Sequence, residues 1–338
     1  MKRAKGKVTL DHGGGGRASR DLVQSYFLPR FANPFLEKMD DSAVVDFPPG
    51  RLALTTDCYV VDPIFFPGGD IGMLAINGTV NDLAAQGAQP LFLSVAFILE
   101  EGFALADVER VLASMASASQ EAQVAIVAGD TKVVPKGKGD KIYINTTGVG
   151  LVREGVNVSG SNARVSDRII LSGSIGDHGI AVLSQREGLA FETDLESDSA
   201  PLSYLVDEIL SVTANIHTMR DPTRGGVAAS LNEIAAQSDV GIVLTETTIP
   251  VKDAVRSACE ILGLDPLYVA NEGKLLVLVS PEDASRVLER MHQNPRGRKA
   301  QIIGEVVHDH PGRVVMRTQT GGTRIVDMPL GEQLPRIC

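Results

Sequence analysis

The chain has 338 residues, of which 43% are hydrophobic and 22% charged, and a formal net charge of −10 at pH 7. That length predicts about two domains, and the composition is ordinary for a globular protein. The acidic balance argues against nucleic acid as a partner, because neutralising phosphates needs clustered Lys and Arg. No apolar run approaches the roughly 20 residues of a membrane span. The basic start, Met1 to Lys7, lacks the apolar stretch of a signal peptide. Cys58, Cys259 and Cys338 are too few and too scattered for a disulfide framework, which predicts a reducing cytoplasm.

Asp11-His12 leads into four glycines, Gly13 to Gly16. These permit close backbone approach to a phosphate. No Lys-Ser/Thr follows, so this is not a Walker loop; it fits a flexible loop and a ligand lid equally. Arg20 to Phe31 reads as a short helix. Asp40 and Asp41 stand ahead of an apolar segment, and the strand over 52–56 ends at Asp57-Cys58. Ile71 to Gly87 has helical periodicity, with Asn81 and Asp82 in its carboxyl-terminal half, where the helix dipole disfavours a carboxylate. Leu91 to Leu99 is almost uniformly apolar, the pattern of a strand buried on both faces. Asp107 is placed to cap a helix running to about Glu121. A strand over 124–128 then leads to Gly129-Asp130-Thr131-Lys132, and Ile142 to Val149 alternates as a strand.

A second domain is expected from Arg153. Strand Arg168–Ser172 meets a glycine-rich turn, Gly173 to Gly179, where backbone N–H groups at a helix start suit an anion. His178 in that turn reads as a structural partner. Leu202 to Met219 is predicted helical. Asp221-Pro222-Thr223-Arg224 opens a helix to Gln237, with Asp221 or Thr223 as its cap or Arg224 beside a phosphate. Val240–Leu244 and Leu275–Ser280 are core strands, and 251–262 and 281–293 are helices. Ile302–Val307, Arg313–Arg317 and Thr323–Asp327 complete the sheet. Cys259 falls within a helix as an inert core thiol, and His308 and His310 read as surface residues. From Met328 to Pro335 there is no periodicity, and Pro329, Gly331 and Pro335 oppose helix and strand. Such a tail, extended, carries Cys338 roughly 30 Å from its anchor, as a swinging arm or as a frayed end.

Asp40/Asp41, Asp57, Asp82 and Asp130 each lie near the end of an element. Gathered in one cleft they would repel one another and raise their pKa values. A divalent ion removes that cost, and hard oxygen ligands suit Mg²⁺ that also holds nucleotide phosphates.

The segments Asp40-Asp41-Ser-Ala-Val, Thr55-Thr56-Asp57, Phe65 to Gly72, Gly78-Thr79-Val80-Asn81-Asp82-Leu83-Ala84 and Ala128 to Lys132 occur in that order. Together they resemble the amino-terminal domain of the aminoimidazole ribonucleotide synthetase superfamily, which includes selenophosphate synthetase and thiamine monophosphate kinase. With Met219 to Gly226, Asn271-Glu272-Gly273-Lys274 and the terminal Pro335-Arg336-Ile337-Cys338, the chain is similar to the branch serving nickel–iron hydrogenase maturation, the carbamoyl dehydratases. The resemblance implies a two-domain α/β fold with mixed sheets, amino-terminal domains pairing in a homodimer, and a flexible tail. The expected parts are residues 1–152 for ATP binding and dimerisation, 153–327 as the carboxyl-terminal α/β domain, and 328–338 as the mobile tail. It also implies that Asp40, Asp41, Asp57, Asp82 and Asp130 bind Mg²⁺, with Asn81, Thr131 and Arg224 beside ATP. Cys58 stands where serine commonly follows the motif aspartate, and it reads as structural.

In that branch a carbamoyltransferase partner loads the terminal cysteine. ATP-dependent dehydration gives a thiocyanate, and a scaffold complex accepts it as the iron cyanide ligand. A base must take protons from the carbamoyl nitrogen, and Glu272 and Lys132 are the candidates. Glu272 as an ion-pair partner of Lys274 is the competing reading. At the level of function the competing readings are a related synthetase or kinase, and a nucleotide-gated scaffold that needs no thiol.

Overall fold

A computed structural model describes residues 6–14, 16–39, 42–188, 195–331 and 334–338. The first helical stretch is α1 (Arg17–Leu22), a π-helical turn (Val23–Phe27) and α2 (Leu28–Phe31). It covers one end of a mixed sheet built from β1 (Leu52–Tyr59), β4 (Ala88–Glu100), β5 (Ala125–Val134) and β6 (Ile142–Val152). A short pair, β2 (Phe65–Phe66) and β3 (Gly69–Asp70), leads into α3 (Ile71–Ala85), and α4 (Leu105–Ala122) follows β4. The sheet order is β1-β6-β4-β5, with only β4 and β5 parallel among these described pairs.

Period-two alternation decides which side of this sheet is covered. Ile142, Ile144, Thr146 and Gly148 of β6 are buried against the helices, while Tyr143, Asn145, Thr147 and Val149 stay partly open. Asp70 caps α3, its carboxylate accepting from Gly72 and Met73 N–H groups at 2.8 and 3.1 Å. The α4 helix turns Val108, Val111, Leu112 and Met115 inward, at helical spacing. Asp107 sits in its first turn, not at its cap, which is Ala104.

The second half carries β7 (Arg168–Leu171), α5 (Asp177–Glu187), α6 (Ser203–Leu210), β8 (Ile216–Arg220), α7 (Gly226–Ser238) and β9 (Gly241–Thr245). It continues with α8 (Asp253–Leu262), β10 (Leu276–Val279), α9 (Ala284–Gln293), β11 (Gln301–Val307), β12 (Val314–Arg317) and β13 (Thr323–Val326). The strands run in the order β13-β12-β9-β11-β7-β10-β8. Among the described residues no helix is long and apolar enough to cross a membrane.

Three expectations are corrected. Leu202–Met219 is not one helix: α6 stops at Leu210, and Ile216-His217-Thr218-Met219, with two β-branched residues, pairs with β10 as an edge strand. The strand over 52–56 continues through Asp57 and Cys58 to Tyr59, paired along its length with β6. Likewise β5 runs past residue 128, so Asp130, Thr131 and Lys132 lie within a strand beside Ala96, Phe97 and Ile98.

Candidate active site at the domain boundary

On β1 the side chains of Thr55, Asp57 and Tyr59 point toward α3, by strand alternation. Asp82, on α3, accepts a hydrogen bond from Thr55 Oγ1 at 2.7 Å and shares another with Asp57. A Cβ at Gly78 would collide with the Tyr59 hydroxyl, so glycine lets Tyr59 settle between Asp57 (3.4 Å) and Thr79 (3.4 Å). Burial, then the charge and hydrogen bond of Asp82, raise the Asp57 carboxyl to about 6, against the pull of Arg224 and Tyr59.

The carboxyl-terminal half brings two more acids to the same place. Asp221 follows β8 and is 8% exposed. Burial, then the charges of Asp82 and Asp57, push its carboxyl up to about 7. Glu272 is 3% exposed, and its Oε1 is buried without a hydrogen-bond partner. Burial pushes its carboxyl well above the usual range, helped by the charges of Asp221, Asp198 and Asp57 and opposed by Arg224. Lys274 pairs with Asp198 at 2.8 Å, which removes the competing reading of Glu272 as its ion-pair partner. Asp198 also accepts from Glu272 N–H at 3.1 Å and Gly273 N–H at 3.3 Å. Glycine is required at 273, where a Cβ would meet the Asp198 carbonyl. The acidic group therefore spans both halves of the chain, with Arg224 as the cation facing it.

The tail closes this boundary. Ile337 is 2% exposed and packs in the amino-terminal core with Val182 and Ala270. Val60 N–H donates to the Cys338 carbonyl at 3.0 Å and Asp62 N–H to that of Arg336 at 3.1 Å, an antiparallel continuation of β1. Arg336 binds Asp140 at 2.6 Å and the Val60 carbonyl at 2.8 Å. Leu334 and Ile337 line, with Arg224, Gly225 and Ala270, a cavity of about 420 Å³. Cys338 is half-buried and not in a disulfide. The described end of the tail is thus a docked segment; proline and glycine rule out regular structure but not docking through backbone carbonyls.

Other candidates fall elsewhere. Asn81 is 1% exposed and spent on backbone partners: it donates to Ala200 and Glu272 carbonyls and accepts from Leu202 N–H. It ties the two halves together. Lys132 and Asp130 pair at 3.1 Å, and Thr131 N–H donates to Asp130 at 2.8 Å. These three face a second cavity, of about 310 Å³, together with Gly13, Phe27 and Phe31. Asp40 and Asp41 lie outside the described residues. Among the described residues no group of three or more His, Cys, Asp or Glu is arranged to hold a metal ion. Asp57 and Asp82 are adjacent, and Asp130 stands apart from them.

Further expectations are settled by partners. Asp221 does not cap α7, whose cap position is Gly225. In the Gly173–Gly179 turn, Ile175, Gly176 and Gly179 N–H groups donate to Pro250 O, Asn271 Oδ1 and Ala270 O, leaving those donors unavailable to an anion. His178 is fully buried and bonded to Ser197 and the Ile337 carbonyl, both at 2.8 Å. Cys259 is 1% exposed, and burial lifts its thiol to about 11. Cys58 is exposed on the outer face of β1. Sequence reading missed the roles of Asp198, Arg186 and Asp221; a lone carboxylate or arginine with no periodic signal points to no partner until the fold supplies one.

The four-stranded and seven-stranded sheets, with the buried acidic group between them, fall within the AIR synthase-related class. Residues 39–152 match the family AIR synthase related protein, N-terminal domain, and residues 164–317 its C-terminal domain. The chain is 55% identical over 333 residues to carbamoyl dehydratase HypE of Azotobacter vinelandii, covering 98% of each chain. A crystal structure of hydrogenase maturation protein HypE in complex with ATP superposes with a TM-score of 0.94 at 51% identity, covering 97% of this chain and 99% of that one. HypE in a HypE–HypF complex is 49% identical with a TM-score of 0.81, covering 91% and 99%. The chain belongs to the HypE family of carbamoyl dehydratases.

Proposed function

We propose that this chain is an ATP-dependent carbamoyl dehydratase of nickel–iron hydrogenase maturation. In this reading Cys338 carries the carbamoyl group and Glu272 takes a proton from its nitrogen. Two observations carry the reading: the backbone of Cys338 docks against Val60, directly after β1, and the buried acidic group to which β1 contributes Asp57 includes an unpartnered Glu272 oxygen. A thiocarbamate S–C(=O)–NH₂ does not lose water unaided, because hydroxide leaves poorly. Transfer of the γ-phosphate to the carbonyl oxygen, with loss of one N–H proton, gives S–C(OPO₃)=NH. Loss of the second N–H proton as phosphate departs leaves S–C≡N. A base for either proton must lie within hydrogen-bond reach of the nitrogen.

The cavity lined by Phe27, Phe31, Gly13, Thr131 and Lys132 suits a nucleotide, with apolar walls for a base and donors for phosphate. The relative crystallised with ATP supports that occupant. Asp57 and Asp82 are adjacent hard oxygen donors whose mutual repulsion Arg224 offsets only in part, which fits Mg²⁺. They would hold the ion with phosphate oxygens; Asp40 and Asp41 are the further ligands expected, and Asp130, apart from them and paired with Lys132, would reach the ion only from a second copy. The ion would supply neutralisation of charge on the triphosphate.

A homodimer is supported by the outer face of the four-stranded sheet, where edge strand β1 exposes Leu52 (54%) and Leu54 (73%). Lys132 lines the nucleotide-sized cavity, whereas Glu272 is buried in the acidic group at the domain boundary, and a second copy would supply the former surface to the latter. A carbamoyltransferase would load Cys338 in a reducing cytoplasm, and the HypE–HypF complex supports a protein donor. A scaffold complex would accept the cyanide group. Intact-mass analysis of Cys338 after carbamoylation, before and after ATP, tests this. We expect the carbamoyl adduct to lose one water; an adduct on Cys58 or Cys259 in a Cys338→Ala chain would overturn it.

A further inference from the structure

We propose that one face of α5, formed by His178, Val182 and Arg186, is the clamp that positions the carboxyl-terminal cysteine, with Arg186 its principal positioning residue. The three are spaced four residues apart, so they share one side of the helix. His178 Nε2 lies 2.8 Å from the Ile337 carbonyl, which can only accept, so Nε2 carries the proton and donates. Val182 belongs to the same apolar cluster as Ile337. Arg186 spends its whole fork on carbonyls: Nη1 on Pro335, Nη2 on Arg336 and Nε on Asp62, each at 2.7 Å.

Four features point to positioning and not to general stability. The polar contacts that His178 and Arg186 of α5 make with the tail go to main-chain carbonyls within three residues of Cys338. The Arg186 fork also holds Asp62, the residue whose own N–H binds the tail, so one guanidinium fixes both sides of the pairing. The fork's planar geometry sets direction as well as distance, which a lysine cannot reproduce. Finally, Arg336 adopts a left-handed backbone (φ 53°), a conformation an L-residue holds only when its surroundings over-determine it. The clamp supplies that determination from the helix side, and Val60 and Asp62 supply it from the strand side.

For catalysis the proposal rests on Cys338 as carbamoyl carrier, but docking itself is readable without that chemistry. The experiment uses the full chain without nucleotide and measures iodoacetamide alkylation at each cysteine by peptide mass spectrometry. Arg186→Gln removes two charge-assisted bonds to the tail and should speed alkylation of Cys338 by about tenfold or more. Arg186→Lys should fall between it and the parent. His178→Gln keeps an amide donor at similar reach and should stay near the parent rate, whereas His178→Leu should not. Buried Cys259 should stay protected and exposed Cys58 unchanged, which separates tail release from unfolding. A parent-like Cys338 rate in both Arg186→Gln and His178→Leu, with Cys259 protected, overturns the clamp. If Arg186→Gln exposes Cys259, the His178 pair decides alone. In a second arm, carbamoylated Arg186→Gln given ATP should lose water more slowly in a single turnover while accepting carbamoyl at least as fast as the parent. Absence of any adduct on parental Cys338 would sink the carrier reading and leave the alkylation result standing.

Discussion

Replacing Asp221 by Asn tests the electrostatics of the boundary while keeping its shape. Its carboxyl is raised from 3.8 to about 7, first by burial and then by Asp82 and Asp57. A group raised in the folded state contributes stability that is fully present below its unfolded pKa and lost as pH rises through the folded one. The parent chain therefore loses stability through this residue from about pH 4, with the loss levelling off above about pH 7. One pKa unit is worth about 1.4 kcal/mol, so the shift carries on the order of 4 kcal/mol. Roughly 2–3 kcal/mol of that falls between pH 5 and pH 8. Any polar cost of the amide is the same at both pH values and cancels in the comparison. One kcal/mol moves the melting temperature of a domain of this size by roughly 2–4 °C. We expect Asp221→Asn, melted without nucleotide, to gain roughly 4–12 °C more over the parent at pH 8 than at pH 5. Equal gains at the two pH values would refute the argument, because they would mean that Asp221 does not titrate between them.

Glu272→Gln should fold, accept carbamoyl on Cys338 and lose water about 10²–10⁴-fold more slowly, the usual range for a positioned base; conversion at the parent rate, read by mass spectrometry, would remove Glu272 from the chemistry. Leu54→Glu places a charge on the exposed face of β1 and should shift light scattering from dimer to monomer with loss of turnover. A parent that is itself an active monomer would refute the shared sheet face.

The fold was legible where periodicity and chemistry agreed. The α3 and α4 helices and strands β4 and β6 announce themselves through long apolar patterns. The helix expected over Leu202–Met219 failed because its two halves are each apolar and short, and periodicity alone cannot separate a buried strand from a buried helix. Asp57 and Asp82 could be suspected from their motifs, but only the sheet and helix geometry puts them in contact. The burial of Glu272 was hidden for another reason. A glutamate beside glycine and lysine reads as solvated, and Asp198, which captures Lys274 instead, lies more than seventy residues earlier in the chain. Arg186 gave no signal at all, because it recognises carbonyls, which every residue has.

If Cys338 is the carrier as proposed, the docked tail also accounts for a thiol that is both held and handed on. Ordering five residues costs about 1–2 kcal/mol each, and the left-handed Arg336 adds roughly 1–2 kcal/mol more. Against this, burial of Ile337 contributes about 1.5–3 kcal/mol. The two strand-like bonds to Val60 and Asp62, the bond to His178 and the charge-assisted bonds of Arg186 and Arg336 contribute about 1 kcal/mol or somewhat more apiece. Gain and cost both come to about 10 kcal/mol, so they close to within a few kcal/mol of each other. On the proposed function, a tail so balanced would be displaced by a partner that offers its last four residues comparable contacts, and would return when that partner leaves. Strengthening any single contact would then favour dehydration at the expense of loading, a physical reason for holding Cys338 through many modest backbone bonds and one buried isoleucine.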